Sequence, residues 1–188
     1  MNLKRLGVIV ALLCAACPWA GAQRHHDPLT GAEMDQIRDT SWEPKLRLPL
    51  YVQFVRARLV KLEEMRSDPK TVNRAQQTHD LLDDFQLLYD ELNDNIDTYI
   101  DRHDDIRKPL KTIIDADTEF QAKLRALKGA PGVSVQEASQ YEFVLNNAID
   151  TVDGSIEDHR KLLADQEEEA KQKKLNKNPS KGTGVSPE

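Results

Sequence analysis

The chain has 188 residues and a formal net charge of −6, with 39% hydrophobic, 31% charged and only 5% aromatic residues. That length predicts one domain, and many charges with few aromatics suit a helical protein with narrow apolar seams better than a thick globular core. An acidic chain lacks the basic stripe that a nucleic-acid partner requires, so nucleic acid is excluded as a partner.

Residues 1–22 read as an export signal. Lys4 and Arg5 form a positive start, Leu6 to Cys17 is an apolar run, and Ala20-Gly21-Ala22 is a small-x-small cleavage pattern, which predicts a mature chain beginning at Gln23. The apolar run is short for a membrane span and no later stretch is apolar enough to be one. The expectation is a periplasmic or secreted protein with no transmembrane segment after signal cleavage. Cys14 and Cys17 both lie in the signal, so the mature chain would have no disulfide and no thiol chemistry. Leu13-Cys14-Ala15-Ala16-Cys17 loosely follows a bacterial lipoprotein signal that would lipidate Cys17, but Cys14 stands where such signals carry leucine. The non-lipidated form is therefore preferred.

Residues 23–43 form a polar N-terminal leader with one short helix. Thr30 and Glu33 have capping-box spacing, so a helix runs from Gly31 to about Arg38. Thr40-Ser41-Trp42-Glu43-Pro44 breaks it, and Trp42 is expected to pack over one end of the bundle.

Residues 44–166 form the helical bundle domain. Its first long helix starts near Pro49, with Leu48, Val52, Val55, Leu59 and Leu62 on one face, and ends at Ser67-Asp68-Pro69-Lys70. The next stretch organises the chain. Ala75, Thr78, Leu82, Phe85, Tyr89, Leu92, Ile96, Tyr99, His103 and Ile106 alternate spacings of three and four, a heptad seam. Aspartates crowd the positions between, so this helix must bury one stripe against partner helices. Arg56, Arg58 and Lys61 of the first helix are expected to pair with that acidic face.

The heptad phase continues without a slip through Leu110, Ile113, Asp117, Phe120, Leu124 and Leu127; Asp117 reads as a buried specificity residue or a seam edge, with the edge preferred. This is compatible with two architectures. In one, three long helices form the bundle and the middle one is kinked at Pro109. In the other, Pro109 starts a new helix. An internal resemblance favours the second. Arg47-Leu48-Pro49-Leu50 matches Arg107-Lys108-Pro109-Leu110, and Ile100-Asp101-Arg102-His103 matches Ile156-Glu157-Asp158-His159. The prediction is an all-α, elongated antiparallel bundle of about four amphipathic helices, a tandem αα-hairpin repeat with both prolines at helix starts.

Gly129-Ala130-Pro131-Gly132 is the clearest break. Ser134 and Glu137 then cap the last helix, with its seam at Ala138, Tyr141, Leu145, Ala148, Val152, Ser155, His159, Leu162 and Gln166. Residues 167–188 read as a charged helical extension and a disordered tail.

Catalytic constellations are missing from the sequence. It has no glycine-rich phosphate loop, nucleophile elbow, His-Glu-x-x-His or inward Glu-x-x-His pair, and no Cys-x-x-Cys-His. No enzyme and no cofactor are expected. The metal candidates are His103 and His159, in equivalent phase on two seams, and His25, which cleavage after Ala22 would place third from a free amine in a square-planar Cu(II) or Ni(II) motif. The leading reading is an exported, non-enzymatic bundle that acts through protein partners as a scaffold, adaptor or chaperone-like module, with self-association open. The alternative is a metal- or small-ligand-binding bundle that uses His103 and His159, or His25.

Overall fold

The computed structural model describes residues 27–177. Residues 1–22, expected to be an export signal and including Cys17, as well as His25 and the residues beyond Lys177, lie outside the described residues. Among the described residues six helices succeed one another: α1 (Gly31–Asp39), α2 (Pro44–Ser67), α3 (Arg74–Asp101), α4 (Arg107–Lys128), α5 (Val135–Ala138) and α6 (Glu142–Lys177). There is no strand among the described residues, and the protein is an all-α bundle.

The heptad seam explains the packing. Thr78, Leu82, Phe85, Tyr89, Leu92, Ile96 and Tyr99 of α3 are all buried. Leu81 and Leu88 beside them are buried too, because α3 has two long neighbours rather than one. The two antiparallel hairpins α2–α3 and α4–α6 make the most extensive contacts; α2 also packs on α4 and α3 on α6. The four long helices thus form a ring in the order α2, α3, α6, α4, and the consecutive helices α3 and α4 face each other across its diagonal. They meet at the centre through rings: Phe85 and Tyr89 stack at 5.8 Å, and Phe120 of α4 meets Phe85 edge-on at 5.7 Å. Such pairs add about 0.5–1.5 kcal/mol each beyond the area they bury.

The uninterrupted phase across residues 100–110 does not make one helix. α3 ends in a Schellman motif: the Asp104 amide donates to the Tyr99 carbonyl and the His103 amide to the Ile100 carbonyl, with His103 left-handed at φ 58°. Gln166 of α6 then grips the connection, accepting from the Ile106 amide at 3.1 Å and donating to the Asp104 carbonyl at 3.0 Å. The three-helix alternative with a kink at Pro109 is therefore not adopted; Pro109 sits in the first turn of α4.

Four further expectations are corrected. α2 begins at Pro44, which leaves Pro49 inside the helix rather than at its start; the missing amide at Pro49 falls where an intrahelical bond to Lys45 would form. The last helix is split, because the Ser134 cap serves the single turn α5 and α6 starts only at Glu142. Trp42 is not packed over an end. It is more than half exposed, with φ 62° and the Arg47 guanidinium 4.3 Å from its ring centroid. The α2 cations also do not chiefly serve the acidic face of α3. Arg56 pairs with Glu119 of α4 at 2.9 Å, Lys61 is exposed, and buried Arg58 binds Glu33 of α1, with Asp84 of α3 adding a smaller attraction.

That Glu33–Arg58 pair docks α1. The capping box forms as expected: Thr30 Oγ1 accepts from the Glu33 amide, and the Glu33 carboxylate accepts from the Thr30 amide. Both Glu33 oxygens also accept from Arg58, at 2.7 Å each, and Arg58 donates to the Pro28 carbonyl. Arg47 completes the docking by donating to Asn95 of α3 at 2.8 Å and to the Ile37 carbonyl of α1 at 3.2 Å.

The two prolines predict opposite signs. Pro109→Ala removes no strain and frees the unfolded chain, so stability falls by a few tenths to about 1 kcal/mol. Pro49→Ala restores an internal helix bond and raises stability by an amount on the order of 1–3 kcal/mol. Urea melts of the two variants check this. A second prediction concerns acid. The hydrogen bonds from Arg58, chiefly, hold the Glu33 carboxyl down from 4.5 to about 2. A depressed carboxyl stabilises the fold above its unfolded value and loses that contribution as pH falls through the folded one. Stability of the wild type should therefore drop more steeply than that of Glu33→Gln between pH 4.5 and about 2, as followed by denaturant midpoint.

Candidate functional site

At mid-height, three polar side chains from three helices meet inside the apolar core. Asp117 of α4 accepts a hydrogen bond from the Tyr89 hydroxyl of α3 at 2.8 Å through Oδ1. Its Oδ2 lies 2.8 Å from Nδ1 of His159 on α6. A carboxylate only accepts, so Nδ1 is the protonated nitrogen of this imidazole. Tyr89 and Asp117 are 0% exposed and His159 is 4% exposed. Burial first, then the Asp117 charge, push the Tyr89 phenol well above its ordinary range, so it stays a donor. Ser155 of α6, in hydrogen-bonding reach of Tyr89, accepts from the Asn93 amide at 3.2 Å and closes the cluster.

The reading of Asp117 as a seam edge is thus overturned. The phase that placed it on the seam was right. A partner on each side satisfies both its oxygens, which lets a charge sit where an apolar residue would. The sequence carried a signal for this: Tyr89, Asp117, Ser155 and His159 are among the polar members of three apolar seams. Only the packed structure brings them to one level.

The two seam histidines are not brought together. His159 is level with Tyr89, whereas His103 lies about 20 Å further along α3 at 1.5 Å per residue, exposed in the α3–α4 turn. Among the described residues, no group of three or more His, Cys, Asp or Glu is arranged to hold a metal ion. His25 lies outside the described residues.

An Asp–His–Tyr cluster resembles the acid–base relays of enzymes. Here Asp117 engages Nδ1 of the imidazole, and that bond ties α6 to α4 at one height.

The two ends of the bundle differ. At the end where α2 and α4 begin, Gln166 and Arg47 tie down the connections. At the other end, the turns that join α2 to α3 and α4 to α6 are held by a charge clamp. Glu137 of α5 accepts two bonds from Arg74, at 3.0 and 2.8 Å, and one from Arg66 at 3.2 Å. The Arg74 bonds, chiefly, hold the Glu137 carboxyl below its usual range. Arg66 also donates to Thr78 at 3.0 Å and lies over the Tyr141 ring. The sequence signalled Glu137 only as a capping residue. Its clamp role needed the fold, because Arg66 and Arg74 come from a different hairpin.

No protein family, characterised protein or solved structure matches the chain.

The cluster predicts a ladder of stabilities. Tyr89→Phe leaves one Asp117 oxygen unpaired and costs about 1–3 kcal/mol. Asp117→Ala strands both Tyr89 and His159 inside the core and costs about 3–5 kcal/mol. The triple replacement Tyr89→Phe, Asp117→Leu, His159→Leu recovers much of that loss, because no polar group is left unpaired. Equilibrium urea denaturation measures all three.

Proposed function

We propose that the chain is an exported, non-enzymatic helical-bundle protein that works by binding a protein partner through the end of the bundle where α2 and α4 finish. One observation carries the reading. Val72, Val135 and Phe143 are 72%, 86% and 85% exposed, and all three lie on the segments that close this end. Single exposed apolar side chains are ordinary. Here they flank the α2–α3 turn, α5 and the first turn of α6, which share one end. The acidic face suits a body with low self-affinity: α3 exposes Asp80, Asp83, Asp90, Asp94, Asp97 and Asp101.

Two further features support an interaction role. The cluster at the centre is buried and both Asp117 oxygens are engaged within it, which favours a part in holding the helices together. No helix among the described residues is long and apolar enough to cross a membrane. The export signal itself supports placement in an envelope or outside the cell. With His103 and His159 apart, the metal-binding alternative rests on His25 alone.

The test is site-specific photocrosslinking in the native host, with a photoreactive phenylalanine analogue at position 143 and, as control, at position 94 on the acidic face. The expected result is a discrete adduct from position 143 that is absent from position 94 and is lost in a Val72→Asp, Val135→Asp background. Equal adducts from both positions, or none from position 143, would overturn the reading.

A further inference from the structure

We propose that the pocket beside Lys123 is a binding site for a small amphipathic carboxylate, of the class of medium-chain fatty acids. It does not depend on the protein-partner reading. The pocket has a volume of about 360 Å³ and lies between the last turns of α2 and α4 under the turn that carries Ala130 to Val133. That volume is at the lower end of the range for small-molecule sites, about 300–1,000 Å³, and fits a single acyl chain rather than a folded lipid.

Its two chemical halves define the ligand. Ala126, Ala130, Pro131 and Val133 supply an apolar wall, backed by the core residues Leu59, Leu62, Leu124 and Leu127. At the mouth stand Lys123, Arg66 and Arg74 with one carboxylate, Glu63, so the lining is cationic on a chain whose net charge is −6. Arg66 and Arg74 are engaged by Glu137. Lys123 is engaged as well, but by a half-exposed carboxylate: its Nζ donates to both oxygens of Glu63 at 2.7 Å. The geometry around Nζ therefore accepts a carboxylate with both oxygens in reach. The Glu63 side chain is half exposed, and exposed pairs of this kind are weak, so an incoming carboxylate can take its place while Glu63 turns to water. The ligand gains what Glu63 cannot, an acyl chain against the apolar wall of the pocket. Neutral or cationic amphiphiles of the same length would bury the same chain but face the rim with no charge or with the wrong one.

Titration calorimetry on the full chain, with decanoate, decan-1-ol and decyltrimethylammonium as probes, tests the site. Decanoate should bind, decan-1-ol should bind at least about tenfold more weakly, and decyltrimethylammonium should not bind measurably. Lys123→Met should weaken decanoate by about tenfold or more. Glu63→Gln frees Lys123 and should tighten it severalfold, a gain that loss of folding cannot mimic. Methyl shifts in the complex should move at Leu59, Leu62, Leu124 and Leu127 and stay fixed at Leu48 and Ile106. Binding of all three probes alike, no gain from Glu63→Gln, absence of binding at millimolar decanoate, or methyl shifts confined to other sites would each overturn the proposal.

Discussion

A carboxylate closed inside an apolar core must have its charge met by hydrogen bonds, since the cost of removing it from water is several kcal/mol even after relaxation. Asp117 imposes that condition on this bundle. Its two oxygens face opposite directions, one to Tyr89 on α3 and one to His159 on α6. Heptad seams alone are permissive about height. Sliding α6 by one heptad, about 10 Å, would keep leucine and valine against leucine, but it would place Val152 or Gln166 where His159 stands. Sliding α3 would present Leu82 or Ile96 in place of Tyr89. Either shift leaves the carboxylate half-paired, so one register of three helices satisfies it and the neighbouring ones do not. The aromatic rings of Phe85, Tyr89 and Phe120 pack around the same level and gain their edge and stacking geometry only in that register.

The ring order α2, α3, α6, α4 arises from how the chain turns. A helix that ends in a left-handed residue reverses quickly, and the α3–α4 connection is only a few residues long. It nevertheless crosses to the diagonal position, which keeps α4 beside α2 rather than beside α3. Gln166 makes this crossing firm, because one amide satisfies a backbone donor and a backbone acceptor in the turn that a first turn without a side-chain cap leaves open. The same end is shut by Arg47, whose guanidinium serves both α3 and α1. At the opposite end the joining segments are held by Glu137, and apolar side chains and a cationic pocket remain open to solvent. The bundle is thus asymmetric: one end is spent on fixing the fold and the other is available.

Much of this architecture was legible in the amino-acid order. The heptad spacing from Thr78 to Tyr99 determined that α3 is a helix and which stripe it buries, because period alone places side chains on one face. Thr30 with Glu33, and Ser134 with Glu137, determined where two helices start, because a cap is a local bond between residues three apart. Pro109 in a first turn was likewise a local matter, and its resemblance to Pro49 was a poor guide for the same reason: α2 had another proline, Pro44, better placed to open it. What the tertiary structure alone decided is every pairing between residues distant in sequence. Periodicity says that Asp117 and His159 lie on seams, not that they lie at the same height; it says that His103 shares their phase, not that a Schellman turn would lift it out of the core. Nor could composition tell that Arg58 would serve α1 instead of α3, or that Lys123 and Glu63 would frame a pocket. Helix formation depends on neighbours within four residues, whereas the site depends on which helix stands beside which, and only burial of the seams together settles that.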